Sequence, residues 1–194
     1  MLDKYLKETD IIDFSNEQIQ KLSKELSRNS KTDVEIARKC FLYVRDDIRH
    51  VGDYKLNIQT CKASEVLKNK AGWCYAKSHL LASLLRANNI PTAFCYQRLS
   101  CSEYIKDIYC LHGLNSIYLK DYGWYRVDVR GNKEGVDAKF NPPFENLAFE
   151  IGENEFDIEE RFIEPLPVIV DFLETKFESF EQMMKSIPDL DIKN

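Results

Sequence analysis

Histidine is scarce in this chain: His50, His79 and His112 are the only three in 194 residues. Any chemistry that needs an imidazole therefore has few places to occur. The sequence also lacks an apolar run of the ~20 residues that a membrane-spanning helix requires. Its first residues, Met1 to Leu6, are charged and carry no apolar core of the kind a secretory leader needs. No block of lysine and arginine stands out and the formal net charge is −5, so the basic footprint of a nucleic-acid binder is missing. None of the six cysteines forms a C-x-x-C pair, which removes a thioredoxin-like motif and a zinc-knuckle half-site. An EF-hand loop, a P-loop, a dinucleotide fingerprint and H-E-x-x-H are absent as well. These absences predict a cytoplasmic protein that uses no cofactor or metal and has neither nucleic acid nor membrane as partner. They leave its oligomeric state open.

What is present is an ordinary globular composition, 44% hydrophobic and 30% charged. The length suits one domain with a sizeable core. No repeat, low-complexity tract or linker divides it, so residues 1–194 are expected to form a single unit with a core over about 32–150 and a C-terminal extension over 151–194. A reducing compartment predicts that Cys40, Cys61, Cys74, Cys95, Cys101 and Cys110 all stay reduced.

Ser15-Asn16-Glu17-Gln18 and Thr32-Asp33-Val34-Glu35 each place a hydroxyl three residues before Glu or Gln, the capping-box start of a helix. The first helix is expected to reach about Arg28, and the second carries Ile36, Cys40, Tyr43, Val44 and Ile48 at helical spacing. Residues 50–62 read as loop, and Ser64-Glu65 opens a short helix that stops at Lys70-Ala71-Gly72. A central helix from about Trp73 to Ala87 follows, with an apolar stripe through Leu80, Leu81, Leu84 and Leu85; Asn88-Asn89-Ile90-Pro91 ends it. The period then changes. Thr92–Leu99, Leu111–Leu119 and Trp124–Val129 read as strands, with a turn at Lys120–Gly123, and hence the fold class is α+β with an antiparallel meander. Beyond Pro142-Pro143 the chain is acidic and irregular until a closing helix over Val168–Lys185.

Cys74 stands at the first turn of the central helix, after a glycine turn. Unpaired backbone N–H groups make that end positive and favour thiolate, the reactive form of cysteine. A nucleophilic thiol needs a base within reach and a third group to orient the base. His79 lies about 140° around the helix axis from Cys74 and points away from it. His50 sits in a loop with nothing nearby to mark it. His112 opens a strand, and Asp128 lies in the partner strand across the turn, where a cross-strand or diagonal pairing can bring them together. By elimination and placement His112 is the base, and Cys74, His112 and Asp128 are the candidate catalytic residues. The backbone N–H of Cys74 is a natural oxyanion donor; Gln59 and Tyr54 are candidates for a side-chain donor. Trp73, Tyr75, Tyr109 and Trp124 are candidates for an aromatic groove, and Arg130, Asn132 and Asn115 for its polar wall.

The stretch Gly72-Trp73-Cys74, followed by Leu80-Leu81-Ala82-Ser83-Leu84-Leu85-Arg86-Ala87-Asn88-Asn89-Ile90-Pro91, resembles the transglutaminase-like superfamily. That superfamily shows a G-x-C helix, an L-L-R-A-x-G-I-P exit, an H-A-W strand and a G-W-x-x-x-D strand. His112-Gly113-Leu114-Asn115 stands for the third element and Gly123-Trp124-Tyr125-Arg126-Val127-Asp128 for the fourth, so the likeness covers roughly residues 40 to 130. It implies a papain-like α+β fold and a Cys74–His112–Asp128 triad. The chain departs from the pattern in reading His-Gly-Leu for H-A-W and Asp128-Val129-Arg130 for D-P-T. It also has Lys68 where papain-like proteases place a glutamine, six residues before the nucleophile.

Three functional readings follow. The leading one is acyl transfer on amide or peptide bonds through a Cys74 thioester. Peptides, amides and protein glutamine side chains are the substrates it implies, with hydrolysis favoured over transamidation. The second is a binding module that keeps the fold without the chemistry. The third is a zinc-stabilised domain using Cys95, Cys101, Cys110 and His112, whose gaps of five, eight and one residues fit structural zinc poorly.

Overall fold

The computed structural model describes residues 2–101 and 108–190. After a 3-10 turn at Asp3–Leu6 come helices α1 (Glu17–Ser27) and α2 (Asp33–Asp47), strand β1 (Arg49–His50), α3 (Ala63–Asn69), β2 (Ala71–Gly72) and α4 (Cys74–Ala87). Strands β3 (Thr92–Ser100), β4 (Tyr109–Leu119) and β5 (Gly123–Val127) form the meander. A small hairpin of β6 (Lys139–Asn141) and β7 (Phe144–Asn146), strand β8 (Phe156–Phe162) and helices α5 (Pro167–Glu174) and α6 (Phe180–Lys185) complete the described chain. The main sheet is antiparallel throughout, in the order β5-β4-β3-β8. The architecture is α+β, as expected from the change of period at Pro91.

Helix α4 lies between that sheet and helices α1, α2 and α3. Every residue from Cys74 to Arg86 is buried, so the expected one-sided stripe is a helix enclosed on all sides. Its polar side chains must then find partners inside the protein, because an unpaired buried polar group costs about 1–3 kcal/mol. Ser78 Oγ donates to Cys74 O at 2.9 Å, and the Arg86 guanidinium reaches the carbonyls of Lys7, Thr92 and Ile163. The Lys77 ammonium donates to Ile48 O at 2.5 Å, Arg45 O at 3.2 Å and Arg130 O at 3.3 Å. Burial pushes the Lys77 pKa down to about 7, against the pull of Asp128.

The structure departs from the sequence reading at several points. Asn16, not Ser15, caps α1, because the Ser15 hydroxyl is engaged by Glu8. The loop expected over 50–62 begins with β1, which pairs in parallel with β2 so that His50 faces Gly72. The irregular acidic stretch contains β8, which adds to the free edge of β3. The pairing shifts register between Phe94–Phe162 and Tyr96–Ile158, where β8 carries the extra residues. The closing helix is two helices, since Ser179 starts α6 by accepting from Gln182 N. Cys101 and Cys110 are joined as a disulfide, a correction to the expectation of six reduced thiols. Cys101 directly follows β3 and Cys110 lies in its hydrogen-bonded neighbour β4, so the β3–β4 pairing brings their Cα atoms to 6.0 Å despite nine residues of separation. Cys40, Cys61, Cys74 and Cys95 are free and buried.

One close approach positions the site. Strand β4 crosses the N-terminal turn of α4 at Gly113, where an added Cβ would lie 2.7 Å from Tyr75 Cδ1 and 3.2 Å from Tyr75 Cα. The Tyr75 hydroxyl in turn donates to Leu111 O. Tyr75 thus occupies the space that the alanine of H-A-W would need, which accounts for glycine at this position.

Two outcomes are expected. Lys77→Met leaves three carbonyls without their cation and should lower unfolding stability by roughly 3 kcal/mol in urea denaturation. Gly113→Ala should cost about 1–3 kcal/mol through overpacking. By displacing the strand that carries His112, it should also lower any Cys74-dependent turnover by about tenfold or more. Steady-state rates beside thermal melts separate the two effects.

Candidate active site

Cys74 opens α4 directly after the β2 turn. Trp73 is the N-cap and contributes no side-chain cap, so the first-turn N–H groups are left for another acceptor. His112 comes from β4. Asn115 faces Val127 across the β4–β5 pair, so one further step sets Asp128 opposite Leu114 and makes His112 its diagonal neighbour. The His112 Nε2–Asp128 Oδ2 distance is 2.7 Å. Cys74 is close enough to His112 to act on its charge, and both side chains line one cavity. With Nε2 held by Asp128, Nδ1 is the ring atom left for the sulfur. The structure therefore pairs His112 with Asp128 and sets Cys74 on the same cavity wall as His112, all three buried.

The electrostatics of these contacts oppose one another. Burial disfavours a charged imidazole at His112, but Asp128 and Cys74 outweigh it and push the pKa up to about 10. Burial likewise disfavours a charged Asp128. The His112 charge, its hydrogen bond and the backbone N–H groups of Arg130 and Ala148 nonetheless hold that carboxyl below the usual range. Phe149 stands edge-on to the His112 ring at 5.1 Å and shields it, and the Arg130 guanidinium lies over Phe149.

Cys74 and His112 form part of the wall of a cavity of about 920 Å³. Among the aromatic candidates, Trp73 and Tyr75 line it. Tyr109 instead stacks on Arg98, and Trp124 packs with Tyr5 and Tyr118. Of the polar candidates, Arg130 lines it and is paired with Asp53. Asn115 is spent on Ser78 O and Ala93 O, and Asn132 on Asp137 and Ala138. Gln59 and Tyr54 stand elsewhere than expected for oxyanion donors: Gln59 anchors Phe172 and Phe177, and Tyr54 is 60% exposed. Lys68 is exposed on α3. His79 bonds Cys61 O at 2.8 Å, and burial drives its pKa down to about 4.

Several residues of the cavity wall were not singled out from sequence as site residues, His50 and Gln97 among them. His50 lines it, beside Trp73. Gln97 lies directly across the β3–β4 pair from His112 and donates to Asp157 Oδ1 at 2.9 Å. Sequence offered only a weak signal for Gln97, a polar residue in an otherwise apolar strand. Cys101 and Cys110 also line the cavity, and their bond to each other takes them out of the proposed zinc set. Among the described residues no helix is long and apolar enough to cross a membrane.

Comparison with known proteins follows the same lines. A candidate cysteine protease from Cytophaga hutchinsonii shares the fold at a TM-score of 0.52 and 18% identity, over 66% of this chain and 42% of that one. A candidate protease from Parabacteroides distasonis matches at a TM-score of 0.43 and 14% identity, over 73% of this chain and 30% of its own. The chain thus spans about two fifths of the first structure's length, and less of the second. No curated protein matches in sequence. The sequence profile of the Transglutaminase-like superfamily matches residues 20–129, a span that runs from α1 through Cys74 and His112 to Asp128. With more than half its length inside that match, the chain belongs to the transglutaminase-like superfamily.

Proposed function

We propose that this protein is a cysteine acyl-transfer enzyme acting on amide or peptide bonds, with water as the favoured second nucleophile. The observation that carries the reading is the His112–Asp128 contact at 2.7 Å, beside a thiol at a helix N-terminus on the same cavity wall. In this reading the Cys74 proton passes to His112 Nδ1 and the thiolate adds to the substrate carbonyl. The tetrahedral adduct collapses as the C–N bond breaks, and His112 protonates the leaving amine. Water then gives its proton to His112 and attacks the thioester. The C–S bond breaks, and the acid and the starting pair are restored. Asp128 keeps the imidazole in the required orientation and supports its positive form. Arg126, Glu145 and Asp157 in the wall make the cavity polar and hence wet, which favours water over an amine that needs its own subsite.

The same proposal takes residues 1–194 as one domain. Its support is that β8 completes the main sheet, and that Ile169, Phe172, Leu173, Met183 and Met184 join the same core as α4.

Cys74→Ala and His112→Ala should abolish acyl-enzyme formation on reactive esters and amides, read by intact-protein mass spectrometry. Asp128→Asn should bind but turn over at least about 100-fold more slowly. A folded Cys74→Ala protein that still acylates would overturn the mechanism. A parent protein that never acylates would favour the binding module.

Stability should depend on pH in a matching way. The raised His112 pKa contributes stability that is complete below about pH 6.5 and lost as pH rises through about 10. The depressed Asp128 pKa contributes stability present above about pH 3.8 and lost as pH falls below it. Melting temperatures across pH should show both limbs in the parent and flatter ones in Asp128→Asn. In imidazole NMR, Cys74→Ala should lower the titration point of His112.

A further inference from the structure

An acyl transfer at Cys74 places negative charge on the carbonyl oxygen of the tetrahedral adduct. Such an oxyanion needs donors about 2.7–3.1 Å away, and losing one typically costs about 10²–10³ in rate. The uncapped first turn of α4 offers the Cys74 N–H. The second donor is not where papain-like sequences carry it, since Lys68 is exposed and Gln59 and Tyr54 are occupied or remote.

His50 stands in the vacant role. The parallel β1–β2 pair sets it beside Gly72, two residues before the nucleophile. Its ring meets Trp73 edge-on at 5.4 Å, and it lines the same cavity as Cys74 and His112. Gly52 leaves room for it, for a Cβ there would lie 3.2 Å from His50 Cε1 and 3.3 Å from Trp73 Cζ3. The residue is 7% exposed.

Its bonding is incomplete. His50 Nδ1 has no hydrogen-bond partner; Asp53 Oδ2 is 3.6 Å away, and both Asp53 oxygens are taken by the Arg130 guanidinium. Burial, together with the charges of Arg130, Lys77 and His112, holds the His50 pKa well below its ordinary value despite Asp53. A neutral imidazole carries one N–H. Nδ1 is enclosed with no acceptor in hydrogen-bond reach, whereas the ring borders a polar cavity whose water can accept, so the proton belongs on Nε2. Among the described residues Nε2 has no protein acceptor, and the ring borders the cavity in which the oxyanion would form.

We propose that His50 Nε2–H and the Cys74 backbone N–H together form the oxyanion hole, which makes His50 a fourth catalytic residue. The proposal rests on Cys74 being the acylated nucleophile. A neutral donor suits this place, because a second imidazolium would compete with His112 for the thiolate.

The test compares two reactions of one thiol. Acylation by p-nitrophenyl acetate passes through an oxyanion, whereas alkylation by iodoacetamide displaces iodide and forms none. His50→Phe, which keeps a ring against Trp73, should slow the acylation burst by about 10²–10³ and leave KM within about threefold. Cys74 alkylation should stay within about twofold of the parent. His50→Gln, whose amide nitrogen reaches the Nε2 position, should recover at least about tenfold over His50→Phe, and His50→Asn should not. Thermal melts verify folding, and the Gln–Asn comparison keeps the test valid if the Phe variant is unstable. Acylation at the parent rate in folded His50→Phe overturns the proposal. An equal loss of alkylation overturns it too, by making His50 a support of the thiolate. A parent that alkylates at Cys74 but never acylates removes the acyl-transfer reading and this proposal with it. A parent in which Cys74 does not alkylate faster than the other free cysteines removes the activated thiol itself.

Discussion

The Lys77 ammonium sits in the middle of this protein without contact with solvent, and much of the site depends on how it is satisfied. It lies one turn beyond Cys74 and reaches the carbonyls of Arg45, Ile48 and Arg130. Ile48 is two residues before His50, and Arg130 is two residues after Asp128. One buried cation therefore ties together the end of α2, the start of β1 and the exit of β5, all around α4. Isolating a charge from water costs several kcal/mol unless it is well bonded, so these segments have little freedom to drift. The enclosure of α4 on all sides sets that condition.

The candidate site shows the same economy of charge. Asp128 is 0% exposed yet ionised, because the His112 ring and two backbone N–H groups surround its oxygens. His112 is buried yet favours its charged form, because a carboxylate and a thiol flank it. Beside them His50 is driven to neutrality by burial and by the positive charges of Arg130, Lys77 and His112, against Asp53. Two imidazoles along one cavity wall are thereby pushed in opposite directions by their surroundings.

The C-terminal region braces this arrangement from the other side. Trp73 Nε1 donates to Met183 Sδ, and the Phe172 ring meets both Trp73 and Tyr75 edge-on. Gln59 bonds Phe172 O and Phe177 N, which fixes α5 and the break before α6. Arg126 joins Glu145 of β7 to Asp157 of β8 along the cavity wall. Residues far apart in sequence thus hold the N-cap of α4 and close the groove beside it.

Local sequence determined the elements whose signals are local. Thr32 with Glu35 started α2, Asn88 to Pro91 ended α4, and the turn at Lys120–Gly123 joined β4 to β5, because caps, turns and periodicity act over a few residues. The order Cys74, His112, Asp128 and a hairpin between the last two were legible for the same reason. Even the split between α5 and α6 carried a local sign, Ser179 three residues before Gln182. Only the tertiary structure decided the rest. Strand β8 is a charged edge strand with a bulge, so its pairing is visible only once β3 offers it an edge. The Cys101–Cys110 bond follows from strand register. Gly113 is explained by Tyr75, 38 residues earlier and on another element. His50 looked like an unremarkable loop histidine because its place depends on a two-residue parallel pairing with β2. So short a pairing leaves no pattern in sequence, and the long-range packing around α4 creates it.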